Sequence, residues 1–298
     1  MRVLFDHPNP FLLAHGGFQI QIEQSKRALE EAGCAVEWLR WWDPGQQADL
    51  IHFFGRPHPT YIQQCHEKGF RVVMSELLTG LGSRSAGTRR LQKMLMGMAR
   101  RMLPHDFVSR LAWESYQKTD AVVALTGWEK KLMTEMFLVD PAKIHVVPNG
   151  VESVFLHGES PAVRGDHLLC TATITARKRV CEMVRAANLA GIKIRIIGEP
   201  YSSQDPYFQK FLTAVRDAAG CAEYAGGISD RECLAREYRS AKGFVLLSSM
   251  ESQSLSALEA AACGCPLLLS DLPWARSSFG SEATYVPVTT ERKTAPYL

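Results

Sequence analysis

The sequence predicts an α/β protein made of two doubly wound domains. Short apolar runs, suited to buried parallel strands, alternate with helical segments along the whole chain. The alternation restarts after 151–166, a charged stretch with Gly and Pro that is typical of a linker. A length of 298 residues suits two domains or one large one. We therefore expect one domain at 1–155 and a second at 156–298.

In the first half, the expected strands are apolar runs bounded by turn residues, at 2–5, 34–39, 49–54, 70–74, 121–125 and 144–147. The expected helices fill the intervals, at 18–32, 60–68, 83–103, 107–118 and 127–137.

Gly16 and Gly17 follow the first strand. In open α/β sheets this loop faces the ligand, and glycine lets the backbone approach a phosphate or sugar closely. A plain tight turn is the alternative. The pair is not part of G-x-G-x-x-G, which argues against a dinucleotide cofactor.

The segment 88–103 combines five basic residues with an apolar stripe at helical spacing. The stripe consists of Leu91, Met94, Leu95, Met98 and Met102. A methionine-rich stripe usually packs inward, so we favour a core helix with a basic outer face. The alternative is peripheral contact of 88–103 with an anionic membrane surface.

In the second half, strands are expected at 167–172, 192–197, 222–224, 244–247, 267–269 and 284–288. Helices are expected at 180–190 and 208–219, from residue 230 onward, and at 255–262.

A basic turn, Arg177, Lys178 and Arg179, follows the strand at 167–172. A diphosphate bound at the carboxyl end of a strand needs cations there if no metal supplies the charge. A solvated cluster is the alternative. The position favours a functional role for one of the three, Lys178 most of all.

Glu251 and Glu259 lie eight positions apart, in a turn and in the helix that follows it. The helix N-terminus between them is suited to bind phosphate. A nucleotide-diphosphate sugar has hydroxyls at both ends and phosphates in the middle, so it fits this spacing. Two solvent-facing glutamates are the alternative.

Composition excludes several classes of protein. The net charge of +3 is too small to argue for nucleic acid. The eight scattered cysteines are typical of reduced thiols in a cytoplasmic protein. The sequence shows no signal-peptide pattern and no apolar run of membrane-spanning length.

Several of these features, taken in order along the chain, form a combined pattern. They are Gly16-Gly17, Pro148-Asn149-Gly150-Val151-Glu152, Lys178, Gly198-Glu199-Pro200, and Glu251 to Glu259 followed by A-A-A-C-G-C-P. In this the chain resembles the family-4 retaining glycosyltransferases of the GT-B fold. The resemblance covers nearly the whole sequence, and the glutamate pair is its most specific part.

The resemblance implies two Rossmann-like domains that face a cleft. The second would hold a nucleotide-diphosphate sugar and the first a glycan, lipid or small-molecule acceptor, with retention of anomeric configuration. No cofactor or metal is implied, and the absence of D-x-D fits a metal-independent enzyme. A location in the cytoplasm, with contact at the inner face of the membrane as a further option, would suit this chemistry.

Residue roles carry over by position. Glu251 would contact donor-sugar hydroxyls, Glu259 would hold the ribose hydroxyls, and Lys178 would stabilise the leaving diphosphate. The remaining expected donor contacts are Gly16, Gly17, Arg177, Gly198, Glu199, Ile228, Gln253, Ser254 and Leu255. Asn149 and Thr173 are additional candidates.

The sequence also departs from the family pattern. Ser252, Gln253 and Ser254 fill a turn where the family has glycine, and Ala172-Thr173 replaces Gly-Arg. Ser75, next to Glu76, stands where many members have histidine. No helices are expected after the strand at 284–288, whereas GT-B proteins end with several. The C-terminal helices of the second domain are therefore expected to be missing, as in a truncated domain. A degenerate protein that binds a nucleotide sugar without transferring it is therefore the alternative.

Overall fold

The computed structural model describes residues 1–298 except 13–15, 105, 106, 109, 160, 162 and 219. The chain divides into two compact units, Met1–Asn149 and Gly150–Leu298. Each contains a six-stranded sheet in which every pair of neighbouring strands is parallel. The α/β class with two doubly wound sheets is therefore confirmed.

The first unit has the strand order β2-β1-β3-β4-β5-β6. Its strands are β1 Arg2–Asp6, β2 Ala35–Trp38, β3 Leu50–Phe54, β4 Arg71–Ser75, β5 Ala121–Ala124 and β6 Ile144–Val146. Its helices are α1 Gly17–Glu31, α2 Pro59–Glu67, α3 Thr79–Gly82, α4 Ala86–Met102, α5 Ser115–Lys118 and α6 Gly127–Phe137.

The second unit has the strand order β12-β11-β10-β7-β8-β9. Its strands are β7 His167–Thr171, β8 Lys193–Ile197, β9 Ala222–Tyr224, β10 Gly243–Leu246, β11 Leu267–Ser270 and β12 Thr284–Val286. Its helices are α7 Ser153–Leu156, α8 Val180–Ala190, α9 Pro206–Asp217, α10 Arg231–Ser240, α11 Leu255–Ala262, α12 Pro273–Phe279 and α13 Glu291–Thr294.

Strand β10 lies at the centre of the second unit, between β7 and β11. Every residue of this strand is buried. An unbroken apolar run is what a strand covered on both faces requires. Because its neighbours are parallel, the carboxyl ends of β7, β10 and β11 lie at one edge of the sheet.

Helix α4 begins after Ser85, whose side chain accepts a hydrogen bond from the backbone N–H of Thr88. The prediction that the stripe of this helix packs into the core is wrong. All five stripe residues are exposed, at 48–73% of their surface. Met96, outside the stripe, is the buried residue of α4.

The single helix expected at 107–118 is also wrong. Within the described residues of this stretch, Arg110–Glu114 form turns, Ala112 has a φ of 50°, and α5 begins only at Ser115. A residue with positive φ does not continue a right-handed helix.

The stretch expected to be a linker contains helix α7. Its Phe155 is fully buried and belongs to the hydrophobic core of the second unit. The backbone of Phe155 and its neighbours is held by Arg239, which donates to the carbonyl oxygen of Val154 at 2.8 Å and also to that of His157. The linker between the units is therefore shorter than the sequence indicates.

Beyond β12, α13 packs against α8. Arg185 of α8 pairs with Glu291 of α13 at 3.3 Å. The sequence pattern did not predict this four-residue helix, which is shorter than the series of helices that the GT-B resemblance implies.

Candidate functional site

A charged and hydrogen-bonded cluster lies at the carboxyl edge of the second unit's sheet, where β7 and β10 end. The carbonyl oxygen of Arg177 accepts hydrogen bonds from the backbone N–H of Ser249 at 2.8 Å and from the hydroxyls of Ser248 and Ser249. These bonds join the basic turn after β7 to the turn after β10. Two segments distant in sequence thereby form one surface.

Lys178 and Glu251 make a buried ion pair in this cluster. Nζ of Lys178 lies 2.6 Å from Oε1 of Glu251, and each side chain is only 9% exposed. Nη1 of Arg177 lies 2.9 Å from the same oxygen and donates to the carbonyl of Met250 at 3.0 Å. The alternative that these charges are solvated is therefore excluded for Lys178 and Glu251.

The charge state of Glu251 follows from these contacts. Burial alone raises the pKa of its carboxyl, but Lys178 and Arg177, with hydrogen bonds, outweigh it and hold the pKa below the ordinary value. Two cations and one carboxylate leave one positive charge in the cluster. A cluster with a net positive charge favours an anionic ligand.

The turn from Ser252 to Ser254 leads into α11. The hydroxyl of Ser254 caps the helix by accepting from the backbone N–H of Ala257 at 3.3 Å. Ser252 is buried and Gln253 is half-buried. The first-turn amides of α11, beginning at Leu255, have no intrahelical acceptors, so they add a positive pole beside the cluster.

Glu259 lies further along α11, in a second buried network. Its Oε1 accepts from Nη2 of Arg231 at 2.5 Å, and its Oε2 accepts from the hydroxyl of Tyr238 at 3.0 Å. Arg231 also reaches Glu152 at 2.7 Å. The Tyr238 hydroxyl lies 2.5 Å from Oγ1 of Thr171, the last residue of β7.

The pKa of Glu259 is shifted the other way from that of Glu251. Burial raises the pKa above its ordinary value, and the attraction of Arg231 and the Tyr238 hydrogen bond offset only part of this. The pKa values of the two glutamates are therefore shifted in opposite directions. Glu251 faces two cations, whereas Glu259 faces one cation that it shares with Glu152.

Gly198 and Glu199 follow β8 at the same edge. Gly198 has a φ of 144°, and a Cβ there would lie 1.9 Å from the carbonyl oxygen of Ala172. The carbonyl of Glu199 accepts from the backbone N–H of Ile174 at 3.0 Å, which fixes the turn that carries Thr173. Half-buried Ile228 belongs to the loop between β9 and α10.

The other expected residues lie in the first unit. Gly16, with a φ of 136°, is the N-cap of α1, and Gly17 is its first residue. Asn149 is the last residue of the unit.

Ser75 ends β4 and is buried. Its hydroxyl lies 2.7 Å from Nε2 of His52. Burial lowers the pKa of His52 to about 4, so the imidazole is neutral near pH 7.

Glu76 is engaged on both oxygens. Arg56 donates to Oε2 through Nε at 2.7 Å and to Oε1 through Nη2 at 2.9 Å, and the hydroxyl of Tyr116 donates to Oε2 at 2.5 Å. These contacts hold the side chain of Glu76 in one position, beside Arg56 and Tyr116.

Sequence reasoning missed four polar residues of these networks: Arg231, Tyr238, Thr171 and His52. Arg231 and Glu259 are 28 positions apart, and no local pattern links them. Across the described ranges, no group of three or more His, Cys, Asp or Glu side chains could hold a metal ion. None of the helices that the structure describes is long and apolar enough to cross a membrane.

Comparison with known proteins defines the class. Residues 23–154 match the model of Glycosyltransferase Family 4, and residues 165–293 match that of Glycosyl transferases group 1. The two matches together cover most of both units. The chain belongs to the group 1, family-4 glycosyltransferases, which have the GT-B fold.

One curated relative is D-inositol 3-phosphate glycosyltransferase from Mycobacteroides abscessus, which is 29% identical over 192 residues. The match covers 59% of this chain and 42% of the relative, so the chain spans less than half of that protein's length.

Two solved structures share the fold over nearly the whole chain. Sucrose-phosphate synthase from Thermosynechococcus elongatus has a TM-score of 0.72 at 17% identity, covering 99% of this chain and 88% of that one. The Anabaena protein HepE in complex with UDP and glucose has a TM-score of 0.67 at 12% identity, covering 99% of this chain and 88% of that one.

Proposed function

We propose that this protein transfers a sugar from a nucleotide-diphosphate sugar to an acceptor hydroxyl, with retention of anomeric configuration and without a metal ion. The observation that carries the proposal is the buried pair of Lys178 and Glu251, with half-buried Arg177, beside the N-terminus of α11. It combines cations for a departing diphosphate with a carboxylate for sugar hydroxyls.

The proposed roles follow from the position of each group. The departing diphosphate develops negative charge as its bond to the anomeric carbon breaks, and Lys178 and the amides of α11 stabilise that charge. Glu251, kept ionised by its cations, accepts hydrogen bonds from the sugar. The acceptor oxygen forms the new bond, and its proton leaves with the departing phosphate or with solvent.

Glu259 is proposed to hold the ribose. Its carboxylate already accepts a hydrogen bond from Tyr238 at one oxygen and from Arg231 at the other. A carboxylate oxygen has a second acceptor position, so ribose hydroxyls can bind without loss of these partners. Gly198, Glu199 and Ile228, at the neighbouring strand ends, are proposed to border the base.

Similar proteins support the donor class and the stereochemistry. HepE has been solved with UDP and with UDP-glucose, and the pneumococcal O-GlcNAc transferase GtfA with UDP and GlcNAc. A trehalose-6-phosphate synthase with a TM-score of 0.61 was studied for glycosyl transfer with retention. The acceptor is proposed only as a glycan, lipid or small molecule with a free hydroxyl.

A thermal-shift screen of nucleoside diphosphates and their sugars tests the proposal. A ligand that binds the folded state raises the melting temperature by mass action. The shift should be smaller in Glu259→Ala and should persist in Lys193→Ala, whose lysine is exposed and paired with Asp166 at 2.6 Å. No shift with any nucleotide would overturn the proposal.

Turnover is then measured with the donor that binds, in the presence of EDTA. We expect a product in which the transferred sugar has the same anomeric configuration as in the donor, as determined by NMR. Donor binding without transfer to any acceptor would favour the degenerate binding protein instead.

A further inference from the structure

Helix α4 presents an apolar surface to solvent. Leu91, Met94, Leu95, Met98 and Met102, here named the α4 face, are 53%, 55%, 53%, 48% and 73% exposed. Their spacing places all five on one side of a helix. An amphipathic helix of a globular protein normally turns this side inward, so the orientation of α4 requires a reason.

The opposite side of α4 holds it to the first unit. Met96 is buried there. The guanidinium of Arg89 stacks over Trp128 at 4.6 Å, and that of Arg100 stacks over Trp113 at 5.4 Å. Arg100 also donates to the backbone carbonyl of Met136 at 3.1 Å. These contacts fix the helix with its apolar side outward, and therefore the α4 face is a built surface.

Basic residues border this surface. Between Leu77 and Pro104 the sequence has six Lys or Arg and no Asp or Glu. Arg90, Lys93 and Arg101 are exposed. At about 100° per residue, Arg90 and Arg101 lie along one border of the α4 face.

Further apolar side chains that follow the stripe in sequence are exposed as well. Leu103, Phe107 and Leu111 are 42%, 59% and 41% exposed. Exposed apolar side chains that concentrate in one segment, rather than being scattered singly over the surface, are typical of an interaction site.

We propose that the α4 face docks on an anionic lipid membrane, with α4 lying in the plane of the interface. Apolar side chains then enter the boundary of the acyl chains, while the bordering cations contact lipid phosphates. A second copy of the chain fits this surface less well, because a two-fold contact would bring the same cations of both copies together. The proposal does not depend on the identity of the sugar donor.

Vesicle sedimentation with the full chain tests this docking. The protein should sediment with vesicles of phosphatidylcholine and phosphatidylglycerol and should remain in solution with phosphatidylcholine alone. Added salt should weaken binding, because screening reduces the attraction of the cations. Sedimentation with neither vesicle would overturn the proposal.

Two double variants separate the apolar and charged contributions. Leu95→Gln with Met98→Gln should lower the partition coefficient at least roughly tenfold, since each side chain loses its burial in lipid. Arg90→Gln with Arg101→Gln should weaken binding and flatten its salt dependence. Because all four side chains are at the surface, the variants should remain folded.

Matched controls come from the other unit. Leu189 on α8 is 59% exposed, and Leu189→Gln should bind vesicles like the parent. Lys210→Gln on α9 controls for the loss of an exposed cation. The membrane proposal is wrong if both double variants bind vesicles like the parent. It is also wrong if the parent is a dimer that does not bind vesicles and gel filtration shows that Leu95→Gln with Met98→Gln is a monomer.

Discussion

Nζ of Lys178 lies 2.6 Å from Oε1 of Glu251, and both side chains are buried at the carboxyl edge of the second unit's sheet. The pair is held by the turn after β10, which is bonded to the backbone of Arg177. Burial of a charged pair costs desolvation energy, so such pairs are frequent where function needs the charge.

Lys178→Ala should reduce kcat more than it raises KM. If Lys178 meets charge that develops only on the leaving diphosphate, its loss removes transition-state stabilisation. Steady-state kinetics with the donor found in the thermal-shift screen measures both constants. Lys193→Ala is the control, and equal losses in binding and turnover would count against a transition-state role.

Glu259→Ala should weaken nucleotide binding by about 1–3 kcal/mol, because ribose hydroxyls lose their acceptor. Isothermal titration calorimetry with the nucleoside diphosphate measures the change. Glu152→Ala, which removes the other carboxylate paired with Arg231, serves as the control. An unchanged dissociation constant for Glu259→Ala would show that the ribose lies elsewhere.

Arg231→Gln should move the pH dependence of nucleotide binding upward. Burial raises the pKa of Glu259, and Arg231 offsets part of that effect. Removal of the cation raises the pKa further, so the carboxylate protonates, and affinity falls, at a higher pH than in the parent. Titration of affinity against pH in both proteins tests this, and coincident profiles would refute the coupling.

The sequence predicted the two sheets because the strands of a doubly wound fold are local apolar runs. It also predicted Lys178, Glu251 and Glu259 as candidates, since strand ends and helix starts can be located from local pattern. It could not predict the pairing of Arg231 with Glu259, which depends on how α10 and α11 pack.

The orientation of α4 could not be predicted for a related reason. Helical periodicity defines a stripe but not the side that meets the protein. In α4 the indoles of Trp113 and Trp128 receive the guanidinium groups of Arg100 and Arg89, so cations face inward. Only the tertiary structure shows that cationic side chains of α4 face the protein and its apolar stripe faces solvent.

Acid should destabilise the first unit through His52. The folded pKa of about 4 lies below the unfolded value of 6.5, so the unfolded state binds the proton more tightly. The contribution of neutral His52 to the free energy of unfolding is fully present above pH 6.5, and it is lost as the pH falls toward 4. The loss amounts to about 3 kcal/mol.

His52→Asn should reduce this acid sensitivity. Urea unfolding at pH 7 and at lower pH, followed by tryptophan fluorescence, gives the free energy of unfolding for each protein. His145→Asn, at an exposed position of β6, controls for loss of a surface imidazole. If His52→Asn and the parent lose stability equally, His52 is not the titrating group.

Gly198→Ala should destabilise the second unit more than Gly191→Ala does. Both glycines have positive φ, but a Cβ at Gly191 meets nothing within 4 Å, whereas one at Gly198 lies 1.9 Å from the carbonyl oxygen of Ala172. Gly191→Ala therefore reports only the strain of positive φ, about 1–2 kcal/mol. Gly198→Ala adds a backbone clash that separates the ends of β7 and β8. Thermal unfolding of both variants measures the difference, and equal melting temperatures would mean that this edge of the sheet relaxes without cost.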